Sequence, residues 1–361
     1  MTLSQILSQE KATEHLRNML ITGRIPPALL FCGPGGCGKF PAALAFAAAL
    51  DCTRIPHIGK RPKPAPRPPA DDLFSVLAAP ASEEALSEEL SAEKLDIPVG
   101  ESCGKCLSCL QIEKGVHPDI TITGVSEQAE KTGKETANLK VDTMRDMLKK
   151  VYQRALISPY KVFIVRDAEK LMPEAQNAIL KTLEDPPEGT VLILLCSDRN
   201  ALLPTILSRA AEVDFKPLSH EAMKILLEKE GISGKESDFL AKAGQGSLDK
   251  ARYIKLFTER ASKLVEGDKT NIFRFVSMLS RDSHKAREET NYMLDLMIYR
   301  QREIWKNSPE SQEKLAQLIK STMELRAMTN RNVSSSRILT AALLASQTAG
   351  ISIEDILFVR N

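Results

Sequence analysis

Four short apolar runs punctuate the first 200 residues, and each is followed by a polar turn and then by residues at helical spacing. They are "ALLFC" at 28–32, "DITITG" at 119–124, "KVFIVR" at 161–166 and "TVLILLC" at 190–196. Helical patterns fall between them near 142–154 and at 173–184. Strands and helices alternating at this spacing predict a parallel sheet flanked by helices, the α/β class. The opening "MTLSQILSQEKATEHLRNML" predicts an amphipathic helix. After about residue 216 the strand pattern stops, and helical patterns run to the end with breaks near "GQGSLDK" and "KNSPESQ".

One segment departs from this alternation. Residues 53–102 begin Pro-rich and basic ("RIPHIGKRPKPAPRPPADD") and then turn acidic ("SEEALSEELSAEKLD"), which reads as an insertion or tether. A chain of 361 residues exceeds one ordinary core. The divisions expected are an α/β domain at 1–215, a helical piece at 216–262 and a second all-helical piece at 263–361. A cysteine-bearing module at 51–115 inside the first domain carries the insertion. The formal charge of +2 neither announces nor excludes a nucleic-acid partner. No basic-then-apolar leader and no bilayer-length apolar run is present, so a cytoplasmic protein with no membrane role is expected.

The first strand leads into "GPGGCGKFPAALAFAAAL", which has the layout of a nucleotide-binding P-loop, G-x-x-x-x-G-K-(S/T). Small residues at Gly33, Gly35, Gly36 and Gly38 let successive backbone N–H groups point at phosphate, and the next helix adds the positive end of its dipole. Lys39 would reach the β- and γ-phosphates. Phe40 stands where the pattern wants the hydroxyl that ligates Mg²⁺. The simpler reading is a glycine-rich turn joining a strand to a helix. A triphosphatase also needs an acid at the end of a second apolar strand, and "VFIVRDAEKL" supplies Asp167 there. A helix cap is the alternative role for that residue. Position 168, where hydrolytic P-loop proteins usually carry a water-polarising Glu, is Ala. Glu169 in an extended chain would point to the opposite face.

The block "VRDAEKLMPEAQNAILKTLEDPPEGTVLILLCSDRNALLPTILSRA", 165–210, closely resembles the AAA+ clamp-loader family. "HPDI" at 117–120 sits where that family places such a segment. The resemblance covers residues 1 to about 250 well and the C-terminal helices only loosely. It implies a P-loop AAA+ domain with a zinc module, a small helical lid at 216–262 and a helical collar at 263–361. It implies a role in DNA replication, helping to place the sliding clamp on primer–template DNA beside other clamp-loader subunits, tau/gamma and delta. Ser208-Arg209 matches the family's serine–arginine pair, whose arginine acts in trans as a finger on ATP held by the next subunit. Motor subunits carry a further arginine after "GS" in the lid; "GSLDKA" puts Asp249 there. Phe40, Ala168 and Asp249 each remove a different part of the hydrolytic machinery while Arg209 remains. The expectation is a subunit that hydrolyses no ATP itself, with ATP binding left open. An active tau/gamma-like ATPase would want a hydroxyl at 40, Glu at 168 and Arg near 249.

Cys103, Cys106 and Cys109 form C-x-x-C-x-x-C, and Cys52 closes the helix after the P-loop. Four thiolates suit a closed tetrahedral Zn²⁺ site. The resemblance implies such a module at this point in the chain. Fifty residues separate Cys52 from Cys103, and His57 is an alternative fourth ligand. A reduced, metal-free cluster or an iron–sulfur site are the other readings. Cys32, Cys37 and Cys196 read as ordinary buried or loop thiols. A zinc-dependent nucleic-acid-binding module would want basic and aromatic residues around the cysteines, and only Lys105 and Lys114 are close.

Overall fold

The computed structural model describes residues 2–54, 100–132, 138–265, 272–307, 312–329, 331 and 333–357. Nearly all of the 53–102 insertion, including His57, lies outside the described residues. By its contacts the chain divides into two units: Met1–Gly33 with Gly38–Lys216, and Pro34–Cys37 with Pro217–Asn361.

Among the described residues of the first unit, five strands make one parallel sheet. They are β1 (Ala28–Cys32), β2 (Ile120–Thr123), β3 (Lys161–Val165), β4 (Thr190–Cys196) and β5 (Ala211–Asp214), in the order β2-β3-β4-β1-β5. β3 and β4 are buried along their whole length, which is why their sequences read as unbroken apolar runs. The helices among its described residues are α1 (Glu10–Thr22), α2 (Lys39–Asp51), α3 (Leu107–Glu113), α4 (Val125–Thr132), α5 (Val141–Val151), α6 (Pro173–Glu184) and α7 (Pro204–Leu207). Met144 and Met147 of α5 and Ile179 and Leu183 of α6 share one core with Leu30, Phe163 and Leu194 of the sheet. Each such side chain contributes roughly 1.5–3 kcal/mol when fully buried. α2 is buried almost all round, from Ala42 through Leu50, as expected of a helix without a polar face.

The N-terminus differs from its periodicity. Residues Leu3–Gln5 form one 3₁₀ turn, Ser8 takes a positive φ of 57°, and the helix begins only at Glu10. A tertiary contact decides this. The buried Glu101 carboxylate accepts hydrogen bonds from the Leu3 amide at 2.8 Å and the Ser4 hydroxyl at 2.7 Å, and pairs with Arg17 of α1 at 2.6 Å. A straight helix through residues 1–20 could not deliver the Leu3 amide and the Arg17 guanidinium to one carboxylate.

The regular elements of the second unit, among its described residues, are helices: α8 (His220–Lys229), α9 (Gly234–Gly244), α10 (Leu248–Val265), α11 (Ile272–Val276), α12 (Ser283–Asn307), α13 (Gln312–Met328), α14 (Ser335–Thr348) and α15 (Ile353–Leu357). Asp295 of α12 ties three helices together, meeting Lys250 of α10 at 2.9 Å and Arg326 of α13 at 3.0 Å. Phe257 and Phe275 pack edge to face at 4.7 Å between ring centroids, joining α10 to α11. No helix among the described residues is long and apolar enough to cross a membrane.

Candidate functional site

β1 ends at Cys32, and the glycine loop carries the chain into α2, whose first residue is Lys39. Gly38 caps α2 with φ at 104°, a conformation that favours glycine. Lys39 is buried, donates to the Gly33 carbonyl, and lies 3.4 Å from the Ser197 hydroxyl just beyond β4. The lysine thus folds back over its own loop and touches the end of the neighbouring strand. The loop crown, Pro34–Cys37, belongs with the second unit. There Ser247 donates to the Gly35 carbonyl at 2.8 Å, and a Cβ on Gly36 would stand 2.5 Å from the Asp249 amide nitrogen. Glycine is therefore needed at 36 for close approach as well as for its φ of 67°.

The position that would hold the metal-binding hydroxyl is filled differently. The Arg166 guanidinium carbon lies 4.5 Å from the centroid of the Phe40 ring, and Arg166 pairs with Glu127 at 2.9 Å. A cation over an aromatic face is attracted by the ring quadrupole. A fixed positive charge thus stands beside residue 40, next to the strand end that carries Asp167.

Asp167 follows β3 in the left-handed region, φ 53° and ψ 45°. It precedes a 3₁₀ turn, Ala168–Lys170, but its side chain makes no capping hydrogen bond there. Its carboxylate lies 3.7 Å from Lys170. Because 168–170 is a turn and not extended chain, the alternation argument for Glu169 does not apply. Glu169 Oε2 accepts from the Ser197 amide at 3.1 Å, so Glu169 and Lys39 both contact Ser197. Ala168 is fully buried and offers nothing.

Ser208 and Arg209 lie just after α7. The Arg209 guanidinium donates to the Thr205 carbonyl at 3.1 Å, to Ser208 Oγ at 3.3 Å and to Glu184 at 2.9 Å. It stays on the surface of the first unit. Sequence reasoning missed Ser197, Arg166, Glu127 and Glu184. A signal existed for Ser197 and Arg166, since each follows a buried strand directly; Glu127 and Glu184 had none.

The four cysteines predicted as ligands come together. Cys52, Cys103, Cys106 and Cys109 place their sulfurs within 4.8 Å of one another. The Cys103–Cys109 and Cys52–Cys106 separations are 3.9 and 4.0 Å. A tetrahedron with metal–sulfur bonds of about 2.3 Å has edges near 3.8 Å, so the donor set fits one ion and no disulfide. Backbone amides of Lys105 and Cys106 point at the Cys103 sulfur, at 3.4 and 3.2 Å, and the Cys103 amide points at that of Cys52 at 3.4 Å. Such N–H donors stabilise thiolates. Hydrogen bonds from Cys109 and then Cys52 pull the Cys106 thiol down, whereas Cys52 is pushed up to about 11, first by its bond to Cys106. Protons shared this way among close thiols are the ones a cation displaces. Cys106 is the N-cap of α3 and Cys109 sits in its first turn; Cys52 is the C-cap of α2. Ala48, Leu44, Ile112 and Ile120 pack against the cluster.

Residues 79–219 match the family model described as DNA polymerase III, delta subunit. The chain is 27% identical over 249 residues to DNA polymerase III subunit tau of Bacillus subtilis, covering 67% of this chain and 35% of that protein. It is 28% identical over 253 residues to subunit tau of Escherichia coli, covering 68% and 31%. The chain thus spans about a third of the length of the curated relatives it matches. Among solved structures, the RuvB Holliday junction branch migration motor of Thermotoga maritima aligns at TM-score 0.41 and 14% identity over 97% of each chain. Over residues 79–219 the chain is thus similar to the DNA polymerase III delta family model, and over about two thirds of its length to DNA polymerase III tau subunits.

Proposed function

We propose that this chain takes the delta-prime role in a clamp loader, a stator that assists a neighbour's ATP hydrolysis and performs none itself. The observation that carries this reading is the guanidinium of Arg166 seated on Phe40. A working P-loop holds Mg²⁺ with a hydroxyl at that position; here an apolar ring and a resident cation fill the place. Ala168, buried and without a polar atom, supports the same reading. Arg209 supports the donor half, because a guanidinium is always charged and presents forked donors suited to phosphate. The partners in this reading are tau/gamma and delta subunits, a sliding clamp and primer–template DNA gripped mainly through its phosphates. α8 to α10 would form the lid and the remaining helices the collar. The cysteine cluster would hold a structural Zn²⁺ through Cys52, Cys103, Cys106 and Cys109, and a cytoplasmic location follows from the role.

The test is ATP turnover in two settings. The purified chain alone, with Lys39→Ala as control, is expected to show none. In the reconstituted complex, Arg209→Ala is expected to depress ATPase by a factor on the order of 10³, the low end for arginine fingers. Lys39-dependent turnover by the isolated chain would make it a tau/gamma-like motor. Normal clamp loading by the Arg209 variant would remove the finger role.

A further inference from the structure

Two thiols outside the metal cluster are also brought together. Cys32 is the last residue of β1 and Cys196 the last of β4, and the two are partners in the parallel ladder. Residues paired in register project their side chains from the same face of a sheet. Neighbouring strands run about 4.8 Å apart, within the roughly 4.4–6.8 Å range of Cα separations that a disulfide spans. Cys196 is fully buried in the main core, and Cys32 packs at the border of that core, partly exposed. A hydrogen bond with Cys32 and then burial push the Cys196 thiol up. Each cysteine is followed by a residue that contacts Lys39: the Gly33 carbonyl accepts from its ammonium, and the Ser197 hydroxyl lies 3.4 Å away.

We propose that Cys32 and Cys196 form a redox modification site, a dithiol that a hydroperoxide converts to a disulfide fastening β1 to β4 beside Lys39. The steps balance. The Cys32 sulfur attacks one peroxide oxygen; an S–O bond forms, the O–O bond breaks, and water (or an alcohol) leaves, giving a sulfenic acid. The Cys196 sulfur then displaces that hydroxyl. An S–S bond forms, the S–O bond breaks, and the Cys196 proton departs with the hydroxyl as a second water. The thiol pair loses two electrons and one peroxide gains them. Cys32 takes the first step because it is the accessible partner; Cys196 resolves it from within the core. The site stands independently of the clamp-loader reading, since it uses only the register of two strands.

The test uses the full chain, treated with a small excess of hydrogen peroxide, alkylated, and digested without reduction. Trypsin releases Cys32 with Cys37 on residues 25–39 and Cys196 on residues 182–199. The expected product is a linked pair of these peptides, with the thiol titre of the denatured chain lowered by two of its seven cysteines. Cys37→Ser should keep the link, and Cys32→Ser and Cys196→Ser should each abolish it. Peptide mapping of the wild-type chain decides the matter even if a variant fails to fold. Dithiothreitol should restore both free thiols. Sulfinic acid at Cys32 with no linked peptide would overturn the proposal, and so would a link that survives Cys32→Ser and so belongs to Cys37.

Discussion

Arg209 lies 2.9 Å from Glu184, the last residue of α6, and both side chains are substantially exposed at 35% and 56%. An ion pair this wet contributes little to stability, at most about 1 kcal/mol. Its effect is positional, because the carboxylate holds a guanidinium that would otherwise sample many rotamers. Glu184→Gln should leave the unfolding midpoint of the chain within about 0.5 kcal/mol of wild type. ATPase of the assembled complex should be equal or higher, since a phosphate no longer competes with a carboxylate for Arg209. A drop in complex ATPase comparable to that of Arg209→Ala would mean that Glu184 orients the arginine and does not merely park it.

The Arg166–Phe40 contact makes a statement about metal. With a resident cation beside residue 40, any nucleotide that binds the wild-type chain should bind equally well in Mg²⁺ and in EDTA. Phe40→Thr restores the hydroxyl and removes the ring, and should cost about 1 kcal/mol of stability through the lost cation–π contact. It should also make binding Mg²⁺-dependent. Titration of a fluorescent ATP analogue into both proteins, with and without chelator, reads this directly.

Glu101 gathers the Leu3 amide, the Ser4 hydroxyl and Arg17, with its side chain only 2% exposed. Glu101→Ala would leave these donors unmatched, at a cost of about 3 kcal/mol. Ser4→Ala removes one neutral donor and should cost nearer 1 kcal/mol. Chemical denaturation of the two variants side by side should return that order; equal, small effects would mean the N-terminal turn is held by Leu3 packing alone.

The cysteine cluster should hold one zinc ion per chain, measured by elemental analysis. Cys106→Ser or Cys109→Ser should lose it. Cys52→Ser tests the fourth ligand, and retention of tight stoichiometric zinc in that variant would transfer the position to another residue. Bridging Cys52 to Cys103 closes a loop of 51 residues, and loop-closure entropy alone makes that link worth about 4 kcal/mol. Chelation should therefore lower the midpoint of the first unit markedly.

Much of the sheet could be read from the chain. β1, β3 and β4 are buried on both faces, so their apolar runs stood out against polar turns, and α6 followed from its helical spacing. β5 was not legible: "AEVD" buries only Val213, because an edge strand needs few apolar residues. The C-x-x-C-x-x-C spacing offered three candidate sulfurs and the end of the P-loop helix offered Cys52, and the fold brings all four together where α2 ends against α3. Glu169 was misjudged because a 3₁₀ turn replaced extended chain. Cys32 and Cys196 stand far apart in sequence, and only the β1–β4 register makes them neighbours. Contacts set by tertiary register leave no local periodicity to read.

The Cys103 amide rests 3.4 Å from the Cys52 sulfur, so the two points where the chain departs toward residue 55 and returns near residue 100 are fastened side by side. Those ends keep their spacing whatever is placed between them. The fold therefore has a built-in socket: the described chain leaves the first unit beside Cys52 and re-enters it beside Cys103 through one anchored point, so the two ends of the long excursion share a single fixed base.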